Sequence, residues 1–205
     1  MAFLILKVVY RLWRGDAKSP NAAVRTMTLL AGLLLFSSGL FNDACSQPVS
    51  REYALKAVFL LNFAQLTTWP TNSFSNTNAP FTIGILGDDP FGPLLDETLR
   101  GETWHGRPFL VRRNLKLENV GDCQLLFITR SASQKAARAA AELKGKPVLT
   151  VADFEGVQTR ETMIDLFTDR NRIRFKINNE PVKNSTLNVS SKLQRVAEME
   201  TPENH

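Results

Sequence analysis

The chain has 205 residues, 43% of them hydrophobic, and a formal charge of +5. That length fits one domain plus a short targeting segment, and the apolar content excludes a disordered chain. Residues 1–46 carry Lys7, Arg11, Arg14, Lys18 and Arg25 against Asp16 and Asp43, so the remainder nets only +2, without the clustered basic face that nucleic-acid binding wants.

The N-terminal features follow the order of a secretory signal. Met27 to Phe41 is uncharged, follows Arg25 and precedes the small residues Ala44-Cys45-Ser46. The apolar stretch falls short of the ~20 residues that span a bilayer. Cleavage after Ser46 places Ala44 at position −3 and starts the mature chain at Gln47. Cys45 is not read as a lipid anchor, because Asn42 and Asp43 stand where a lipidation signal needs aliphatic and small residues. The expected organisation is a signal segment over 1–46, an α/β domain over 47–198 and a frayed tail over 199–205. Loss of the leader takes Cys45 with it. Cys123 is then alone at the head of an apolar run, and no disulfide is expected.

In the mature chain, residues 51–66 carry apolar side chains at helical spacing, including Tyr53, Ala57, Leu60 and Ala64. Ser50 is the predicted N-cap, and Trp69-Pro70 ends the segment. Residues 71–79 are polar and loop-like. Phe81 to Leu86 reads as a strand, followed by a helix to Arg100 with Asp89 as N-cap and Pro90 at its first position. Phe109 to Arg113 and Gln124 to Thr129 are further strands. A helix over Ala132 to Lys144 follows, capped by Ser131 or Ser133 and ended by Gly145, and Val148 to Val151 is the fourth strand. Thr162 to Thr168 and Arg172 to Asn178 form a hairpin through Asp169-Arg170-Asn171, its second strand alternating Ile173, Phe175 and Ile177 with Arg172, Arg174 and Lys176. A short segment at Pro181–Asn184 and a helix over Ser190–Glu198 close the domain. Strand–helix–strand units imply parallel pairing under covering helices. The predicted fold is a single-domain α/β mixed-sheet sandwich, with parallel βαβ units followed by an antiparallel hairpin.

A catalytic centre needs convergent titratable groups. His105 and His205 are the only histidines, and no Cys/His/Asp spacing, nucleophile elbow or phosphate loop accompanies them. No enzyme activity, catalytic residue, metal or cofactor is expected. Gly84-Ile-Leu-Gly87-Asp-Asp89 lacks the dinucleotide spacing, and its acids would repel a phosphate. The ends of parallel strands are still where such sheets take ligands, so Gly87, Asp88, Asp89 and Phe91 make a candidate pocket. Arg112-Arg113 and Arg172/Arg174/Lys176 read as solvated strand faces or as a contact surface for an acidic partner.

These segments together resemble the YfiR family of bacterial periplasmic proteins. The resemblance rests on the helix from Tyr53 to Ala64 ending in Trp69-Pro70, on Gly84-Ile-Leu-Gly87-Asp-Asp-Pro90-Phe91-Gly92, and on Gly106-Arg107-Pro108 before Arg112-Arg113. It rests also on Cys123-Gln-Leu-Leu-Phe-Ile128, Gly145-Lys-Pro-Val-Leu-Thr-Val151, Arg174-Phe-Lys-Ile-Asn178 and Ser190-Ser-Lys-Leu193. It implies a periplasmic regulator, often a homodimer, that binds the periplasmic part of an inner-membrane signalling protein such as a diguanylate cyclase and so restrains cyclic-di-GMP and biofilm formation. It implies membrane contact only through that partner or an uncleaved signal. This chain has Glu161-Thr162 where members carry a glycine pair. The partner surface is expected on the closing hairpin and beyond, at Ile164, Leu166, Lys176 and Val182, on a strand face of mixed apolar and basic residues. The alternative is a periplasmic small-ligand-binding module without cyclase control.

Overall fold

The structure is a computed structural model that describes residues 48–154, 161–170 and 172–200. The signal segment expected at 1–46, the hairpin residue Asn171 and the tail beyond 200 lie outside the described residues.

Helix α1 spans Pro48–Gln65. Its start at Pro48 uses a residue whose fixed φ and missing N–H suit a first turn. Ser50 therefore lies inside the helix and does not cap it. Tyr53, Lys56, Ala57, Leu60, Phe63 and Ala64 share its buried face at 3.6-residue spacing. A two-residue strand, β1 (Thr67–Thr68), follows before Trp69-Pro70 and pairs antiparallel with β9 (Asn188–Val189) near the end of the chain.

The main sheet has seven strands: β2 (Phe81–Leu86), β3 (Thr103–Trp104), β4 (Arg107–Arg112), β5 (Leu125–Ile128), β6 (Leu149–Asp153), β7 (Ile164–Asp169) and β8 (Arg172–Ile177), in the order β3-β4-β2-β5-β6-β7-β8. Strands β4, β2, β5, β6 and β7 run parallel, while β3 and β8 are antiparallel additions at the two edges. The predicted mixed-sheet α/β fold is the one observed. All six residues of β2 are buried, as expected for a central strand covered on both faces.

Two apolar layers cover the sheet. On one face Ile83, Ile85, Phe127, Val151, Ile164, Leu166 and Phe175 pack against α1, α2 (Pro93–Leu99) and α5 (Ser191–Glu200). On the other, Leu86, Leu126, Ile128 and Ala152 pack against Ala136, Ala139 and Leu143 of α3 (Ala136–Glu142) and its C-terminal end. The β2-to-β4 crossover thus lies on one face and the β5-to-β6 crossover on the other. Strand order reverses between β2 and β5, which makes a topological switch point there.

The two crossover helices, α2 and α3, are shorter than predicted. α2 starts at Pro93 after Gly92, so Asp89 and Pro90 precede it instead of opening it. The segment Arg130–Lys135 is a 3₁₀ turn leading into α3. Neither Ser131 nor Ser133 caps α3, whose N-cap position is Lys135; Ser131 Oγ instead accepts the Asp88 N–H at 2.8 Å. Pro181 to Lys183 belong to α4 (Asn179–Lys183), with Asn184 as its C-cap. Strands β1, β3 and β9 have two residues each, too short to show a period.

Candidate functional site at the carboxyl ends of the parallel strands

The crevice beside a switch point is where open α/β sheets usually admit ligands. Here side chains of the same chain close on one another past the ends of β5 and β6. Lys56, on the buried face of α1, has no exposed surface and places its Nζ 2.7 Å from Asp153 Oδ1 at the end of β6. The same Nζ reaches Glu52 Oε1, one helical turn back, at 2.5 Å. Tyr53 donates its hydroxyl to the other Asp153 oxygen at 2.9 Å. Arg130, just past β5, lies 3.3 Å from Glu52 and 3.6 Å from Asp153. Burial, the neighbouring Asp153 charge and the hydrogen bond to Asp153 all raise the Tyr53 pKa, so its phenol stays protonated.

A second charged knot holds the loop after β2. Asp89 Oδ1 accepts the Phe91 N–H at 2.9 Å, and Asp89 Oδ2 accepts from Arg113 Nε at 2.6 Å. Arg113 also donates to the Gly92 carbonyl at 3.0 Å and pairs with Asp96 in α2. Burial works against the Arg113 charge, but hydrogen bonds and attraction to Asp96 and Asp89 outweigh it and raise its pKa. The two knots meet through aromatic rings: Phe91 stands edge-on to Tyr53 at 5.4 Å and to Phe127 at 4.9 Å. Gly87 makes the turn possible. Its φ is +101°, and a Cβ there would fall 2.2 Å from Thr129 Oγ1.

The four expected pocket residues therefore separate. Gly87 and Asp88 line an open cleft of about 410 Å³ with Asn114, Lys116 and Lys135. Asp89 is tied to Arg113, and Phe91 is 2% exposed in the core. The expected partner residues separate too. Ile164 and Leu166 are fully buried under α1 and pair in register with Ile177 and Phe175. β7 is not the outer half of an isolated hairpin but an inner strand between β6 and β8, so its apolar residues face the core instead of solvent. Lys176 and Val182 are half-buried along edge strand β8 and in α4. Among the described residues, the large apolar side chains that are exposed lie elsewhere: Leu55 and Val58 on the outer ridge of α1, and Leu110 on β4.

The Lys56–Asp153 pair was missed in the sequence, although half of its signal was present. Lys56 sits three residues after Tyr53 and four before Leu60, on the apolar stripe where a charge needs a buried partner. Nothing local pointed to Asp153 as that partner. Cys123 is buried, donates to the Val120 carbonyl at 3.3 Å, and has its pKa pushed up to about 12, chiefly by burial. That is an inert thiol. Among the described residues, no three His, Cys, Asp or Glu side chains converge to hold a metal ion, and no helix is long and apolar enough to cross a membrane.

No curated protein matches the chain. The family described as YfiR/HmsC-like matches residues 53–198, from the Tyr53 that anchors α1 to Asp153 through to the last turns of α5. On a match across nearly the whole α/β domain, the chain belongs to the YfiR/HmsC-like family.

Proposed function

We propose that this protein is an exported periplasmic regulator that binds the periplasmic part of an inner-membrane diguanylate cyclase and restrains it. Family membership supports a periplasmic regulator of diguanylate cyclase in general terms, and the observation that carries the reading is the extent of that match, which leaves no second domain for another activity within residues 53–198. The geometry at the strand ends agrees with regulation more than with catalysis. The acids and bases of the two knots, Lys56 with Glu52 and Asp153 and Arg113 with Asp89, are paired with one another.

Of the partner surface expected from the sequence, Lys176 and Val182 stay in the proposal, because β8 is a sheet edge and α4 follows it directly. Ile164 and Leu166 contribute by holding β7 in place. The test measures cyclic-di-GMP in cells carrying Lys176→Glu with Val182→Asp, and co-purification of each variant with the cyclase. Raised cyclic-di-GMP with the variant folded and exported supports both function and surface. Unchanged output overturns this surface, and if Leu55→Asp with Val58→Asp raises it instead, the contact belongs to the ridge of α1. Unchanged cyclic-di-GMP on deleting the protein overturns the function.

A second reading, small-ligand binding at the strand ends, is favoured by the open cleft at Gly87 and Asp88. A thermal-shift screen of metabolites against wild type and Asp88→Ala tests it. A ligand whose shift survives Asp88→Ala does not use this cleft.

A further inference from the structure

The opposite, amino-terminal end of the sheet carries a cleft of about 610 Å³ lined by Trp69, Phe74, Trp104 and His105. Its indoles are nearly closed off, at 4% and 6% exposed, and Phe74 stacks on Trp104, so it presents no open ring face. The turn at its edge is strained, with φ of +48° at His105 and +80° at Gly106. Accessible, uncommitted chemistry lies instead on the layer that covers the second face of the sheet.

That layer is α3 with the 3₁₀ turns Leu117–Asp122 and Arg130–Lys135 and the turn after the helix. Its inner side packs on the sheet through Val120, Ala132, Ala136, Ala139 and Leu143. Residues 114–146 carry six basic side chains, Lys116, Arg130, Lys135, Arg138, Lys144 and Lys146, against three acidic ones, Glu118, Asp122 and Glu142. Residues 47–205 as a whole have an excess of only two, so the rest of the domain is slightly acidic and its positive charge is concentrated here.

Most of these charges are uncommitted. Arg130 is held by Glu52 and Asp153, and Asp122 lies 3.7 Å from Arg112. The other five cations are exposed, and none of their side chains has a hydrogen-bond or ion-pair partner among the described residues. They follow one another across the layer. Lys116 and Lys135 line one cleft, Arg138 stands a turn further along, and Lys144 and Lys146 line a second cleft past the end of α3. Lys146 also lies across the first 3₁₀ turn, its Nζ 3.0 Å from where a Cβ on Gly121 would stand. Between the cations α3 exposes Ala137 and Ala141, which keep the face low.

We infer that this face docks on an anionic phospholipid surface. Each cation held near such a surface strengthens binding about fivefold, so an excess of three amounts to roughly 100-fold. A protein interface wants buried aromatic or apolar anchors. The exposed large apolar side chains among the described residues, Leu55, Val58 and Leu110, lie on α1 and β4, not on this layer. A headgroup layer needs no such anchor. The bilayer that holds the proposed partner supplies such a surface, but the docking does not depend on a cyclase.

Full-length chain is mixed with vesicles of phosphatidylglycerol and phosphatidylcholine in equal parts, or of phosphatidylcholine alone, and binding is read by co-sedimentation. The apolar stretch of the leader is common to every variant, so the face is read from differences between variants. Lys135→Glu with Arg138→Glu should weaken binding to the mixed vesicles at least ~30-fold at about 100 mM salt, with an unchanged Tm, and the difference should shrink at about 500 mM. It should be absent on phosphatidylcholine alone. Arg100→Glu with Lys192→Glu makes the same change in net charge at exposed positions off this layer, and should cost less than about threefold because charges beyond ~10 Å are screened. Equal losses in the two double variants, or no loss in the first, overturn the surface. If the first variant keeps its lipid binding but raises cyclic-di-GMP in cells, the face serves an acidic protein and the lipid assignment fails.

Discussion

The two ends of the sheet contrast sharply. At the carboxyl ends, where parallel sheets usually hold ligands, charged side chains close on one another: Lys56 on Asp153 and Glu52, and Arg113 on Asp89 and Asp96. At the amino ends, aromatic rings line a roomy cleft with neutral polar groups at its rim. The difference teaches that a switch point offers only a crevice. Here α1 lays its own lysine and tyrosine against Asp153 at the end of β6, so part of that end of the sheet serves to fasten a helix, and the larger opening lies at the other end.

The sharpest test breaks the carboxyl-end lock. Lys56→Ala leaves Asp153 buried without its main counter-charge and should cost about 3–5 kcal/mol in urea unfolding. Lys56→Met combined with Asp153→Leu removes both charges and should cost much less than the sum of the two single changes. If the double variant is as damaged as the sum, the two residues do not act as a pair. A smaller loss is expected from Asp89→Ala, about 1–2 kcal/mol, because the Arg113 it abandons is partly exposed and keeps Asp96. Hydrogen exchange should show loosening confined to the loop from Gly87 to Gly92.

At the amino ends, Cys123 offers a pH test. Its pKa, raised from 9.0 to about 12, means that the folded state holds the thiol proton more tightly than the unfolded chain. The stability this contributes is fully present below pH 9 and is lost as pH climbs toward 12. Cys123→Ala should flatten that part of the alkaline decline, leaving the share due to Tyr53, whose pKa is also raised. The native thiol should resist alkylation at pH 8, and rapid labelling of the folded protein would contradict its burial. The smallest effect is expected at the strained turn. His105→Gly accepts the positive φ, and relief of that strain offsets the greater freedom glycine brings to the unfolded chain, so stability should move by no more than ~0.5 kcal/mol either way while the cleft loses one wall.

Much of the architecture was legible in local pattern. β2 matches its predicted bounds, Phe81–Leu86, because a continuous apolar run between turn signals has few other solutions. The closing hairpin was visible in the alternation of Ile173, Phe175 and Ile177. What failed was the inference from hairpin to surface. Alternation along β8 speaks of one wet face at an edge, but the first half of β7 beside it, Ile164 to Leu166, is covered on both faces, and even Asp165 is 6% exposed, sharing hydrogen bonds with Thr162 and Asn178. Whether a strand is inner or outer depends on sheet order, and sheet order is not a local property.

The sequence by itself determined the element types, the parallel-then-antiparallel plan and the family resemblance, because periodicity, turn residues and motif order act over a few residues at a time. Only the tertiary structure decided how the two ends of the sheet are used. Lys56 and Asp153 lie 97 positions apart, and Trp69 and Trp104 meet through edge strands of two residues each. Such contacts are made by the order in which strands cross over, so the lock at one end and the cleft at the other exist only once the whole sheet has assembled.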